Sequence, residues 1–250
     1  MSPTAAIIII GNEILAGHTR EENIPFLAGE CSRLGIALRE VRVVPDVELA
    51  IVKAVNECRA EYQYVFTTGG IGPTHDDITA DSVAAAFGVP CEENADGIQR
   101  LQNYYRTQGI ELNEARRRMA RMPRGASIIE NPVSSAPGFR IGNVFVMAGV
   151  PNIMQQMFKG LIPQLVGGPP ILTRSITCRL MEGNIADDLT AIQNQYAEVD
   201  IGSYPAFRNG AYQLKLVLRT TDQKLLDQAS SAITSMAQKH GDSAFQIQDW

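Results

Sequence analysis

The chain has 250 residues, of which 45% are apolar and 20% are charged, and its formal net charge at pH 7 is -5. A chain of this length and composition can bury a large core, which excludes disordered, fibrous and low-complexity proteins and favours two domains. Its negative charge provides no global field to attract nucleic acid or an anionic membrane, so we expect neither as a partner.

The cysteines and the apolar N-terminal segment indicate the compartment. The four cysteines stand far apart, with no CxxC pair, which predicts core thiols in a reducing compartment rather than disulfides or a metal site. The apolar segment at residues 5–10 lacks a preceding basic region and is too short to cross a membrane or act as a signal sequence. We interpret this segment as a strand of a cytoplasmic protein.

Residues 5–163 alternate apolar, β-branched runs with segments of helical periodicity. After the first two strands, further strands are predicted at residues 64–68, around residue 128 and at residues 144–147. This alternation is typical of a parallel sheet covered by helices on both faces. The helix after the first strand has Asn23 as its predicted N-cap, and the helix after the second strand, residues 41–44, has Asp46 in that position. The sequence therefore predicts an α/β domain with a doubly wound, mostly parallel sheet over residues 1–166.

After this domain we predict a linker, Gly167-Gly168-Pro169-Pro170. Its glycines add backbone freedom, and its prolines lack amide donors. Beyond it, apolar residues alternate with polar residues in two segments and recur at helical spacing in two others. With a strand near residues 199–204, the predicted order is βαββα. This order of elements predicts a second, smaller α+β domain over residues 171–250.

The segment with the clearest chemistry follows a predicted strand that ends at Thr68. It reads Gly69-Gly70-Ile71-Gly72-Pro73-Thr74-His75-Asp76-Asp77-Ile78-Thr79 and leads into a helix. Its glycines would let backbone amides approach a phosphate, and the helix N-terminus adds a positive dipole end. Asp76 and Asp77 would place two carboxylates beside that anion, which is favourable when a divalent cation bridges them. The segment predicts a metal-assisted reaction of a phosphate.

Helix capping is the structural alternative for several of these residues. Asp76 or Asp77 could simply cap the following helix, and the same holds for Asp46. Thr79 could equally be the cap and leave both neighbouring aspartates free. His75 has no second histidine nearby and is therefore weak evidence for a metal ligand.

Other turns are predicted at the same edge of the sheet. Gly11-Asn12-Glu13 follows the first strand, and residues 131–139 and Gly149-Val150-Pro151 supply two more turns. Taken singly, each is ordinary loop chemistry. Ligands of open parallel sheets bind at the carboxyl ends of the strands, so together these turns predict one crevice.

These segments together resemble the molybdopterin-binding (MoaB/Mog-like) domain family. The resemblance is carried by Gly11-Asn12-Glu13-Ile14-Leu15, Gly17, Asn23, Pro45-Asp46, residues 67–79, Ala136-Pro137-Gly138-Phe139 and Gly149-Val150-Pro151. Within the family the chain is similar to the branch found in competence-damage-inducible (CinA) proteins and at the amino terminus of eukaryotic FAD synthase. Residues 171–240 resemble the small KH-like domain that follows in CinA proteins.

The resemblance implies a small-molecule ligand, either molybdopterin or an adenine dinucleotide such as FAD or ADP-ribose. CinA-like members are metal-dependent pyrophosphatases, which implies a hydrolase of a nucleotide pyrophosphate with a divalent metal ion (Mg, Mn or Co) as cofactor. In this hypothesis Asp46, Asp76 and Asp77 are catalytic, with the metal on Asp76 and Asp77. The expected ligand-binding residues are Gly11, Asn12, Glu13, Asn23, Thr68, Gly69, Gly70, Gly72, Thr74, Thr79, Ser135, Pro137, Gly138, Gly149 and Pro151.

Some positions depart from the family pattern. The differing residues are Asn12 for a frequent aspartate, Glu21 for aspartate, Ser134 for glycine, Ala148 for proline and Ile153 for glutamate. Two alternatives to the hydrolase stay open, of which the second follows from loss of the carboxylate at Ile153. One is molybdopterin binding or adenylyl transfer in molybdenum-cofactor biosynthesis, and the other is a noncatalytic ligand-binding module.

The basic residues and the small domain give weaker indications. A basic cluster could steer an anion, but without interleaved aromatic residues a solvated helix face is favoured. The cluster consists of Arg116, Arg117, Arg118, Arg121 and Arg124.

The small domain has no helix-flanked GXXG loop of the kind with which KH domains bind the nucleic-acid backbone. We interpret it as structural or oligomeric and expect a homo-oligomer.

Overall fold

The structure is a computed structural model that describes residues 2–208 and 211–249. The chain divides into two compact units between Gly168 and Pro169, and the short segment Ser32–Gly35 is grouped with the second unit. Among the described residues, no helix combines the length and the apolar character needed to cross a lipid bilayer.

The first unit alternates strands and helices. Its strands are β1 (Thr4–Ile10), β2 (Ala37–Val44), β3 (Tyr64–Thr68), β4 (Cys91–Glu93), β5 (Arg121–Pro123), β6 (Ser127–Ile129), β7 (Gly138–Ile141) and β8 (Val144–Met147). Its helices are α1 (Asn12–Leu15), α2 (Asn23–Arg33), α3 (Glu48–Glu61), α4 (Thr79–Phe87), α5 (Ala95–Thr107), α6 (Glu114–Arg117) and α7 (Pro151–Leu161). Short 3-10 turns lie at Arg118–Ala120 and Ile162–Gln164.

Six strands form the main sheet in the order β2-β1-β3-β8-β7-β6. The first four are parallel to one another, whereas β7 and β6 run antiparallel to their neighbours. The strands β4 and β5 form a separate antiparallel pair. This arrangement confirms the predicted α/β class with its mostly parallel sheet, and it adds an antiparallel edge that the sequence did not predict.

Helices cover both faces of the central strands. On one face, Ile8 of β1 belongs to the same buried cluster as Ile51 of α3 and Val83 of α4. On the other face, Phe158 of α7 packs edge-on against Phe66 of β3, with 5.3 Å between ring centroids. Because β1 is buried from both sides, its sequence is continuously apolar rather than alternating.

Three of the four cysteines, Cys31, Cys58 and Cys178, are buried, and Cys91 is half-buried. Burial raises the pKa of the Cys31 thiol to about 12 and that of Cys58 to about 11. These thiols are therefore protonated at neutral pH and pack as small apolar groups.

The second unit is a smaller α+β domain, as the sequence predicted. Its elements are β9 (Leu172–Cys178), α8 (Glu182–Gln195), β10 (Asp200–Arg208), β11 (Ala211–Thr220), α9 (Gln223–Lys239) and β12 (Gln246–Asp249). The strands form an antiparallel sheet in the order β10-β11-β9-β12. Ile176 and Leu216 of this sheet share a buried cluster with Ile185 of α8 and Ile233 of α9. The final strand, β12, extends the predicted βαββα order.

Candidate functional site

The loops that follow β1, β2, β3 and β8 meet at one edge of the main sheet. The register explains this, because Ile9 pairs with Val43 on one side and with Thr68 on the other, and Thr68 pairs with Met147. The four strands therefore end in one row. An open crevice of about 530 Å³ lies beyond this row and lies within the first unit.

The crevice brings together many of the residues predicted from the sequence. The predicted residues in its lining are Gly11, Glu13, Asp46, Gly69, Gly70, Gly72, Asp76, Asp77, Gly149 and Pro151. The structure places other predicted residues outside the lining, namely Asn12, Asn23, Thr68, Thr74, Thr79, Ser135, Pro137 and Gly138. Of these residues, five are buried, namely Asn23, Thr68, Thr79, Pro137 and Gly138.

Asp46 does not cap α3 as the sequence predicted. That helix begins at Glu48 with Val47 at its N-cap, and no side chain caps it. Instead, Asp46 Oδ2 accepts a hydrogen bond of 2.8 Å from the backbone amide of Asn12. The carboxylate thus ties the loop after β2 to the turn after β1, and within the described chain its Oδ1 oxygen has no hydrogen-bond partner.

Asn23 is the first residue of α2, and its side chain does not cap the helix, contrary to the sequence prediction. The Glu21 carboxylate accepts hydrogen bonds of 2.8 Å from the backbone amides of Asn23 and Ile24, and so performs the capping. Asn23 Nδ2 donates to the backbone oxygen of Gly149 at 2.8 Å and lies 3.4 Å from Thr68 Oγ1. The side chain therefore holds the loop after β8 against the end of β3.

Gly69 and Gly70 have positive φ angles, 102° and 67°, in the turn after β3. A Cβ atom on Gly69 would lie 2.1 Å from the backbone oxygen of Ile10, and one on Gly70 would lie 2.1 Å from Thr79 Oγ1. The Thr79 hydroxyl donates to the Gly69 oxygen at 2.9 Å, and its amide donates to the Gly70 oxygen at 3.0 Å. Contacts within the protein are thus sufficient to require glycine at both positions.

Neither Asp76 nor Asp77 caps α4, the helix that follows the loop. Its N-cap residue is Ile78, and no side chain caps this helix, so Thr79 is not the cap either. Asp77 Oδ2 accepts hydrogen bonds from the amide and the hydroxyl of Thr74, at 2.8 and 2.6 Å. The Thr74 hydroxyl and, secondly, its own backbone amide lower the pKa of the exposed Asp76 carboxyl. The pKa of the Asp76 carboxyl is thus lowered, and Asp77 is oriented by Thr74 of the same loop.

The turn before β7 is organised by the buried side chain of Asn131. Its Nδ2 donates to Ser134 Oγ and to the Ala136 oxygen, both at 2.8 Å. Its Oδ1 accepts from the amides of Val133 and Ser134, at 3.0 and 3.2 Å. Asn131, Ser134 and Ala136 line the crevice, whereas the predicted residue Ser135 takes a left-handed conformation with φ of 57° outside the lining.

The sequence missed several residues that line the crevice. Met119, on the 3-10 turn Arg118–Ala120, and Thr19 follow no predicted strand, so no sequence signal pointed to them. Ile71 lies within the predicted loop but was not among the predicted ligand-binding residues. With Met119, Val150 and Ile153, it gives the crevice an apolar wall.

The charged side chains of the lining are all acidic. They are Glu13, Asp46, Asp76 and Asp77, and no described lysine, arginine or histidine joins them in the lining. The amides of Gly70, Ile71 and Gly72 make no hydrogen bond to any residue that the structure describes. The crevice thus combines unpaired backbone donors with four negative side chains.

A divalent metal ion fits this donor set only together with ligand oxygens. Among the described residues, no group of three or more histidine, cysteine, aspartate or glutamate side chains could hold a metal ion. Mg²⁺ is usually bound by one or two carboxylates plus substrate phosphates, and it prefers hard oxygen ligands. Asp76 and Asp77, which cap no helix, supply such a pair of carboxylates.

Comparison with known proteins gave a match for each unit. Residues 6–167 match the family called probable molybdopterin binding domain, and residues 170–242 match the middle domain of FAD synthase. A protein from Pyrobaculum calidifontis is 37% identical over 212 residues, which cover 81% of each chain. A probable FAD synthase from Caenorhabditis elegans is 31% identical over 95% of this chain, which spans half the length of the worm protein.

A solved structure supports the fold of the first unit. The crystal structure of a CinA protein of unknown function from Thermoplasma acidophilum superposes with a TM-score of 0.60 at 30% sequence identity. The match covers 65% of this chain and 98% of the Thermoplasma chain. The shared architecture therefore extends over nearly the whole of that protein.

Proposed function

Because the chain belongs to the family of probable molybdopterin-binding domains, in the CinA-like branch that its motifs predicted, we propose that its crevice binds a nucleotide or pterin pyrophosphate and hydrolyses it with a divalent metal ion. The ligand would place its phosphates over the glycine-aspartate loop, residues 69–79. Its ring system would lie against the apolar wall.

The charge of the crevice is the observation that carries this proposal. Four carboxylates and no cationic side chain would repel a pyrophosphate, whereas the unpaired amides of Gly70, Ile71 and Gly72 are suited to phosphate oxygens. Both features are satisfied if Asp76 and Asp77 hold a divalent metal ion, which when bound supplies charge neutralisation and Lewis acidity at the phosphate.

Asp46 is the residue suited to accept the proton of the attacking water. Its Oδ2 is fixed by the amide of Asn12, which leaves Oδ1 to orient a water molecule. In hydrolysis of ADP-ribose, the water oxygen bonds to one phosphorus and the bond from that phosphorus to the bridging oxygen breaks. The products are AMP and ribose 5-phosphate, and the water proton passes to Asp46.

Ligand binding without turnover is the second candidate function, and Ile153 favours it. This apolar residue lines the crevice where the family pattern has a glutamate, and the described carboxylates form no metal cluster of three. A chain of this kind would retain the loop and its ligand but lack a group that completes the metal site.

Product analysis tests the two candidates together. The protein would be incubated with ADP-ribose, FAD and molybdopterin, each with and without Mg²⁺, Mn²⁺ or Co²⁺, and binding would be measured calorimetrically in parallel. Hydrolysis supports the enzyme if it requires metal and disappears when Asp76 and Asp77 are both replaced by asparagine. Metal-dependent binding with no product supports the second candidate. Absence of binding to every compound would refute both.

A further inference from the structure

Arg118 differs from the other arginines of the basic cluster because it has no partner. The partners of the other four are Glu111 and Tyr105 for Arg116, Glu93 for Arg117, Asp81 for Arg121 and Glu92 for Arg124. Over the described ranges, the side chain of Arg118 makes no hydrogen bond, ion pair or ring contact. It is nevertheless half-buried, so the interpretation of the cluster as a solvated helix face does not account for it.

Arg118 lies beside the proposed phosphate site. It lines a small recess together with Gly70, Ile71, Gly72 and Asp77, and these four residues also line the crevice. Arg118 forms no ion pair with Asp77, so its charge is not neutralised by the nearest acidic group of the loop. A guanidinium group and three unpaired amides therefore border the same stretch of backbone.

The turn that carries Arg118 is attached to the helix after that loop. Arg121 donates two hydrogen bonds, of 2.7 and 3.1 Å, to the carboxylate of Asp81 in α4. Bidentate pairs of this kind fix the relative orientation of the elements that they join. The same turn places Met119 in the crevice, so the backbone that carries Arg118 is positioned beside the loop before any ligand binds.

We propose that Arg118 is a ligand-binding residue whose guanidinium donates to the phosphate oxygens of a pyrophosphate held over Gly70, Ile71 and Gly72. This inference rests on the proposed function for the presence of a phosphate ligand. It adds the cationic side chain that the crevice lining lacks, because an arginine fork matches the geometry of phosphate oxygens. Arg118 therefore selects ligands by their phosphates rather than by their ring system.

The neighbouring residue provides a matched control. Arg118→Gln and Arg117→Gln each remove one positive charge from adjacent positions of the chain, but Arg117 is already paired with Glu93. Calorimetry would measure binding of the α,β-methylene analogue of ADP-ribose, which resists hydrolysis, with Mg²⁺ present. Loss of a charged hydrogen bond weakens binding by roughly 10- to 100-fold, which we expect for Arg118→Gln, against less than about threefold for Arg117→Gln. Arg118→Lys should recover part of the loss, and adenosine binding should be unchanged in every variant.

The outcomes separate this inference from the proposed function. If both glutamine variants bind the analogue as tightly as the unmodified protein, or both lose affinity equally, Arg118 makes no specific phosphate contact and the inference is wrong. If the unmodified protein binds neither the analogue nor inorganic pyrophosphate, the inference and the proposed function both fall. If the two variants differ as expected while ADP-ribose is not cleaved, only the hydrolase proposal fails.

Discussion

Asp77 Oδ2 accepts two hydrogen bonds from a single residue, Thr74, one from its amide and one from its hydroxyl. Gly72 allows this arrangement, since a Cβ atom there would lie 2.6 Å from the same oxygen. The loop therefore orients its carboxylate by its own contacts, without the N-terminus of α4. These two hydrogen bonds determine the effect that we expect from a substitution of Asp77.

We expect Asp77→Asn to abolish metal-dependent turnover and to change the free energy of unfolding by less than about 0.5 kcal/mol. The amide oxygen of asparagine can accept both bonds from Thr74, whereas the negative charge is lost. Turnover and urea unfolding would be measured on the same preparation. Thr74→Val is the control, because it keeps the carboxylate but removes one bond and should reduce stability by about 1 kcal/mol. Normal activity of the asparagine variant would remove Asp77 from the mechanism.

Gly70→Ala should destabilise the protein, and Gly17→Ala should do so less. Both glycines have φ near 70°, but a Cβ atom meets Thr79 Oγ1 at Gly70 and nothing within 4 Å at Gly17. Backbone strain costs about 1–3 kcal/mol at either position, and the contact adds to it only at Gly70. Urea unfolding of the two variants measures the difference. Equal losses would show that the Thr79 contact relaxes without cost.

This expectation for Gly70 differs from the one that the sequence supports. A glycine in a loop beside a predicted phosphate site suggests that a side chain there would impair ligand binding and leave stability nearly unchanged. The structure places Thr79 against Gly70, so a side chain at this position should impair folding as well as ligand binding. Sequence alone could not distinguish an effect on binding from an effect on folding. The distance in space between Gly70 and Thr79 depends on the path of the loop between them.

The strands that end at the crevice could be predicted because each is a continuous apolar run. The predicted strands at residues 64–68 and 144–147 coincide with β3 and β8. A short strand was also predicted around residue 128, where β6 lies, but β7 and the antiparallel pairing of both strands were missed, since they have only three and four residues and show little periodicity. A signal was present in Gly142-Asn143, two residues that connect Ile141 to Val144 as a hairpin turn.

The capping residues could not be assigned from sequence for a different reason. The local sequence predicts Asp46 as the N-cap of the helix that follows it. Its carboxylate instead accepts a hydrogen bond from Asn12, 34 residues earlier in the chain. Asn23 likewise bonds to Gly149, 126 residues later. Such contacts depend on the register of β1 against its neighbours, which aligns the strand ends and is invisible to any short window of sequence.

A fragment of residues 1–168 is expected to fold and to bind the methylene analogue within about threefold of the full chain. Every described residue that lines the crevice precedes Gly168, where the chain divides into its two units. Calorimetric titration of fragment and full chain makes the comparison, with circular dichroism as the check on folding. A folded fragment that fails to bind would show that residues after 168 contribute to the site.

Ile153→Glu should strengthen the metal site and raise turnover. Ile153 is the third residue of α7 and lines the crevice with Asp76 and Asp77, so a glutamate there adds a third carboxylate. The change should not destabilise the helix, because an acidic residue in the first turn interacts favourably with the helix dipole, by about 0.3–1 kcal/mol.

The quantity to measure is the concentration of Mn²⁺ that gives half-maximal hydrolysis of ADP-ribose, which we expect to fall about tenfold in Ile153→Glu, a typical size for changes at metal sites. Ile153→Gln is the matched control, because glutamine has nearly the same size as glutamate and is also polar but carries no charge. If the unmodified protein binds its ligand without turnover, activity should appear in the glutamate variant alone. Equal behaviour of the two variants would show that a carboxylate at position 153 does not reach the metal, and that the isoleucine is not what limits the reaction.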